Sequence, residues 1–140
     1  MTALVVRWGH VLGMAVAVGG ATLAWWLLRG PLDGAAAGRV AEAYEWLFWG
    51  ALGLLVMTGV GNLGALAPAV PGPDTRWGVV LAGKLLLVVG FLVGSLVRTL
   101  VVRRADPSAS RHVAVMRRGY AVTALVLVGV LALAEVLAHG

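Results

Sequence analysis

The stretch WGVVLAGKLLLVVGFLVGSLVRTLV at residues 77–101 decides the fold. It runs for 25 residues without proline or acid, and only two cations, Lys84 and Arg98, interrupt it. About 20 mostly apolar residues in a helix cross a hydrocarbon core of about 30 Å. Three more stretches of the same kind lie at 4–28, 44–67 and 113–138, all rich in Leu, Val, Ala and Gly. Every proline (Pro31, Pro68, Pro71, Pro73 and Pro107) falls between them, where proline ends a helix.

The composition agrees with a bilayer as solvent. Of 140 residues, 61% are hydrophobic and 12% are charged, against about 25% charged in soluble domains. Such a chain has too few polar groups to cover a soluble surface. With no cysteine, disulfides, thiolate zinc sites, iron–sulfur clusters and thiol catalysis are excluded. The connections at 29–43, 68–76 and 102–112 are short, so the expected fold is all-α. It is a single integral-membrane domain over residues 1–140, an up-down-up-down four-helix bundle. Ala35-Ala36-Ala37 after the first span raises the question of a cleaved leader. That span exceeds the 7–15 apolar residues of a signal core and carries Trp25-Trp26 at its far edge, so it reads as retained.

The net charge of +5 sorts loops rather than binding nucleic acid, since no soluble nucleic-acid module accompanies it. Arg98, Arg103, Arg104, Arg111, Arg117 and Arg118 cluster about the third connection, and Arg29 and Arg39 lie in the first. The other side holds Arg7, Arg76 and Lys84. The positive-inside rule therefore puts connections one and three in the cytoplasm and both termini outside, in a bacterial or archaeal cell membrane. Trp8, Trp25, Trp26, Trp46, Trp49 and Trp77 lie near span ends, as an aromatic belt requires. Small residues spaced by four, at Gly9/Gly13, Ala17/Ala21 and Gly90/Gly94, read as close packing inside the bundle.

Ionisable groups inside a bilayer cost at least about 2.5–3.5 kcal/mol near its centre. His10, Asn62, Lys84 and Glu135, one per span, fall within about one helical turn of the same depth near the outer face. Met14 follows His10 at i+4, Thr58 precedes Asn62 by the same spacing, and His139 lies one turn beyond Glu135. Each has a plainer reading: Lys84 snorkels to headgroups, Glu135 neutralises Lys84, Asn62 links helices, and His139 sits in the interface. His10 in an apolar span is the strongest candidate. His112, in the arginine-rich connection, reads as solvated. Imidazole binds haem iron and copper, and thioethers suit reduced copper. The candidate metal ligands are His10, Met14, Met57 and His139; the candidate cofactor-binding residues are His10, Lys84, Asn62 and Glu135, for haem b or copper. Gly59–Gly64 matches G-x-G-x-x-G without a preceding strand. The stretch 78–84 matches G-x-x-x-x-G-K, but Leu85 follows it where Ser or Thr is needed. Both are accidents of a Gly-rich chain. No Gly-x-Ser-x-Gly elbow is present.

Val6-Arg7-Trp8-Gly9-His10-Val11-Leu12-Gly13, running on to Val18-Gly19-Gly20, resembles the first helix of CopD-type copper-resistance domains. Leu54-Leu55-Val56-Met57-Thr58-Gly59 is similar to their second helix. Gly83-Lys84-Leu85-Leu86-Leu87-Val88-Val89 resembles a helix shared with the small four-helix membrane-bound protoporphyrinogen oxidases of bacteria. The resemblance implies a metal or redox cofactor near His10 and Lys84. The leading expectation is copper handling or electron transfer at the outer face. The alternatives are a haem-dependent porphyrinogen oxidase, and a non-catalytic subunit of a larger membrane complex or a homo-oligomer. Membrane lipid is the expected surrounding partner.

Overall fold

The computed structural model describes residues 2–66, 72–104 and 110–139. They form four helices: α1 (Thr2–Leu27), α2 (Gly34–Leu66), α3 (Arg76–Arg104) and α4 (Ser110–His139). There is no strand among the described residues. Each helix is long and apolar enough to cross a membrane. The arrangement is the four-span helical architecture expected of the sequence, and the chain is a multi-pass membrane protein.

One boundary differs from the expected spans. Helix α2 begins at Gly34, ten residues before position 44, because a helix need not stop at the membrane surface. The Ala36 N–H donates to Asp33 Oδ1 at 2.6 Å and the Ala37 N–H to the Asp33 carbonyl at 2.9 Å, so Asp33 caps the helix. The alanines behind it are the best helix formers. Thr75 caps α3 in the same way: its hydroxyl accepts from the Gly78 N–H at 3.1 Å and donates to the Gly72 carbonyl at 2.7 Å.

Helix α1 is the hub. It packs along α2 and α4, α3 packs mainly on α4, and α2 meets α3 and α4 only locally. Helices α1 and α3 are diagonal, as an up-down bundle predicts. Small residues make the α1–α2 contact tight. Ala17, Ala21 and Ala24 on α1 and Ala37 and Ala41 on α2 are buried, which lets the backbones approach closely. A Cβ at Gly13 would meet Leu55 at 3.1 Å, and one at Gly20 would meet the Tyr44 ring at 2.9 Å. Two of the four-residue small pairs thus pack inside the bundle. The third does not: a Cβ at Gly90 or Gly94 would meet nothing within 4 Å, so α3 carries its glycines on an open face.

The core has two connected parts. One gathers Tyr44, Phe48, Leu52, Met116 and Tyr120 around the α1–α2 alanines. The other, nearer His10, holds Met14, Ala17, Ala51, Leu55 and Leu127. Large apolar side chains such as Trp8, Trp26, Trp46 and Leu125 are exposed, as lipid permits. Trp25 and Trp49 instead pack partly against the core, so the aromatic belt is drawn from fewer tryptophans than span ends alone indicate.

The close approach at Gly20 gives a direct test. Gly20→Leu forces the side chain into Tyr44, and we expect a loss of about 1–3 kcal/mol from overpacking. Gly19, where a Cβ meets nothing, is the control. Thermal unfolding in detergent, followed by circular dichroism, should show Gly20→Leu melting well below both the parent and Gly19→Leu.

Candidate functional site

His10 faces α2, and its Nδ1 lies 2.8 Å from Thr58 Oγ1. Thr58 decides which way that bond runs. Its hydroxyl donates back to the Leu54 carbonyl at 2.7 Å, with the Leu55 carbonyl at 3.2 Å. A hydroxyl has a single proton, so Thr58 Oγ1 accepts from His10 Nδ1–H. The neutral ring then carries its lone pair on Nε2. A histidine whose Nδ1–H is held by an oxygen and whose Nε2 is left basic is the arrangement found around ligated metals.

The other members of the expected layer are distributed unevenly. Met14, one turn along α1, is 8% exposed and packs with Ala17, Ala51, Leu55 and Leu127. Met57 is 75% exposed, so its sulfur lies on the outer face of α2 and does not join His10. Residues 57 and 58 sit about 100° apart on a helix, and α2 turns Thr58 inward. Lys84 on α3 is half-buried and lies toward the same end of the bundle as His10. Glu135 lies on an exposed part of α4. The backbones of Asn62 and His139 place both residues at the same end of the bundle as His10 and Lys84; their side chains lie outside the described residues. Among the described residues no three His, Asp or Glu side chains converge as a metal cage. The donor set at hand is one oriented imidazole and one buried thioether, a soft pair suited to copper in its reduced state.

A second polar cluster, absent from the sequence reading, lies toward the arginine-rich end. Arg98, grouped above with the topology-setting arginines, is 9% exposed and turned into the bundle. Its Nε donates to Glu45 Oε1 at 2.9 Å and its Nη2 to Glu45 Oε2 at 3.2 Å. Nη1 donates to Thr123 Oγ1 at 2.5 Å. Thr99 Oγ1 donates to Glu45 Oε2 at 2.5 Å and accepts from Trp49 Nε1 at 3.0 Å. The guanidinium carbon sits 4.3 Å from the Phe48 ring centroid and 5.4 Å from those of Tyr44 and Tyr120. The tyrosine hydroxyls donate to the Ala17 and Ala41 carbonyls at 3.3 and 3.4 Å. Every nitrogen of Arg98 and both oxygens of Glu45 are engaged, so the cluster ties α2, α3 and α4 together as a clasp. The signal in the sequence was an arginine three residues inside the 77–101 span and a lone acid, Glu45, inside the 44–67 span; intramembrane charges need partners.

Comparison with known proteins gives one result. A family model described as copper resistance protein D matches residues 38–137, which takes in Glu45, Thr58, Lys84, Arg98 and Glu135 and leaves His10 and Met14 outside. No curated protein and no solved structure matches the chain.

The clasp generates a paired prediction. Arg98→Ala or Glu45→Ala leaves an unpaired buried charge and should cost about 3–5 kcal/mol. Replacing both together with Met and Leu should recover most of that loss, because two apolar residues leave no orphan charge. Melting temperatures of the four proteins in one detergent check both statements.

Proposed function

The chain belongs to the copper resistance protein D family, and from that premise we propose that it binds copper within the membrane at His10 for copper handling. The observation that carries this reading is the Thr58 hydroxyl, which takes the Nδ1 proton and leaves Nε2 as a basic ligand. Met14 adds a soft thioether one turn away, and copper in its reduced state accepts imidazole and thioether together. When bound, the copper supplies the cargo or redox centre; the protein supplies orientation and exclusion of water. Thr58 holds the imidazole at a fixed rotation and tautomer. The apolar packing of Ala17, Ala51, Leu55 and Leu127 around Met14 keeps that side of the site dry. Lys84 and Glu135 adjust the local charge or hold carboxylates, Asn62 orients a partner group, and His139 is a further imidazole at the same end. The distribution of arginines supports placing both termini, and with them this end of the bundle, on the extracytoplasmic side.

The test uses the full-length chain in detergent, titrated with copper(I) against a competing chelator. Metal analysis and oxidised and dithionite-reduced absorption spectra are taken on the same sample. We expect about one copper per chain and no Soret band. His10→Ala should abolish this binding. Thr58→Val should weaken it about 10–100-fold, the usual cost of losing the group that orients a metal-bound histidine. Met14→Leu should weaken binding of the reduced ion selectively. Full copper occupancy in His10→Ala would remove the site from His10. A Soret band with a reduced α band, in place of copper, would transfer the same histidine to haem b and call for an assay of porphyrinogen oxidation.

A further inference from the structure

The outer face between α3 and α4 holds a groove of about 780 Å³. Its floor is shaped by Gly83, Gly90 and Gly94, where a Cβ would meet nothing within 4 Å. Glycine at these positions does not serve packing within the chain; it leaves a trough one side chain deep along α3. Two polar features stand at the arginine-rich end of this trough. Ser95, part of the wall, is 3% exposed, and its Oγ has no hydrogen-bond partner. A buried hydroxyl without a partner is uncommon, because a serine in a helix ordinarily bonds the carbonyl four residues back. Arg118, on the opposite wall, is exposed and has no acidic partner among the described residues. Arg98 also lines the groove, but Glu45 already neutralises it, so the groove's uncompensated charge is that of Arg118.

We propose that this groove seats one anionic phospholipid, with an acyl chain along Gly90 and Gly94 and the phosphate between Arg118 and Ser95. The dimensions agree. From Gly83 to Ser95, the length of trough open to an acyl chain, the helix rises about 18 Å, enough for one leaflet's share of a hydrocarbon core about 30 Å thick. Arg118 lies eight residues into α4, about 12 Å along the axis from its first residue. A long arginine side chain at that depth extends toward the headgroups. The chemistry agrees as well. A phosphate accepts charge-assisted hydrogen bonds from a guanidinium and satisfies the Ser95 hydroxyl. Arg111 and Arg117, both exposed nearby on α4, raise the local preference for a net-negative headgroup over a zwitterionic one. The phosphate seat is independent of the copper reading, since Arg118 and Ser95 stand at the arginine-rich end of the groove and His10 at the opposite end of the bundle.

Native mass spectrometry of the full-length chain tests this, with dioleoylphosphatidylglycerol and dioleoylphosphatidylcholine as competing probes. We expect one phosphatidylglycerol retained per chain, favoured about fivefold over phosphatidylcholine, the ratio that corresponds to one arginine at a membrane surface. Arg118→Gln should remove most of that preference, leaving only what Arg111 and Arg117 contribute. Ser95→Ala should lower retention of both several-fold, and Gly90→Leu, which fills the trough, should abolish both. Arg103→Gln, which removes an exposed charge outside the groove, should change nothing. The Arg118 and Gly90 changes touch no packed side chain, and unchanged helical circular dichroism checks that each variant is folded. Retention of phosphatidylglycerol in Arg118→Gln or Gly90→Leu at the parent level overturns the proposal, as does equal retention of the two lipids by the parent. The chain has no cysteine, so Val122→Cys on the groove wall reports a second copy there. Rapid disulfide dimer formation in liposomes would make the groove a protein contact and overturn the lipid assignment.

Discussion

A charged pair held inside an apolar bundle governs how the other parts are arranged. Lipid cannot solvate Arg98 or Glu45, so neither tolerates being turned outward at its depth. Their bidentate contact, with Thr99 and Thr123 completing the hydrogen bonds, draws α3 toward α2 although these helices otherwise meet little. The aromatic rings of Tyr44, Phe48 and Tyr120 surround the guanidinium and give the cation a partly compensated place in the core. Packing alone would leave α3 attached mainly through α4. The ion pair fixes its rotation about its own axis. That rotation also decides that Gly83, Gly90 and Gly94 face the open groove.

Along the α1–α2 seam the organising contact is steric rather than electrostatic. Gly13 and Gly20 on α1 admit Leu55 and Tyr44 from α2, and the buried alanines continue the same seam. Close approach of the two backbones brings His10 within hydrogen-bond distance of Thr58. A threonine that bonds its own preceding carbonyl is a fixed acceptor, which makes the histidine tautomer a consequence of helix packing. The bundle therefore divides its work. The arginine-rich half supplies cohesion through the Arg98–Glu45 clasp, and the opposite half presents the oriented His10 imidazole.

The family match bears differently on the two ends. It covers residues 38–137, which include the whole of the clasp and Thr58 but not α1. His10 and Met14 are attached to the matched segment through packing, so the histidine reading rests on the α1–α2 geometry. The resemblance read from Val6–Gly20 belongs to that unmatched helix, while those read from residues 54–59 and 83–89 fall within the match.

Much of the architecture was legible in the sequence, and the site only partly. Length and apolarity identified four spans because a hydrocarbon core demands them irrespective of neighbours, and the prolines marked the ends. His10 and Lys84 stood out because polar groups in lipid need a reason. The early start of α2 at Gly34 was missed because span length says nothing about a capped helix continuing beyond the membrane. Arg98 was placed with the loop arginines because position near a span end does not reveal a side chain's direction. Met14 and Met57 looked equivalent, yet one is in the core and the other faces outward. Soluble helices reveal their buried side through amphipathic spacing; here lipid and core are both apolar, so each helix is hydrophobic nearly all round. Sequence by itself determined that four helices cross a membrane and which polar residues they carry inside it. Which of those residues meet was decided only by the rotation of each helix in the packed bundle, set by small-residue seams and the Arg98–Glu45 pair.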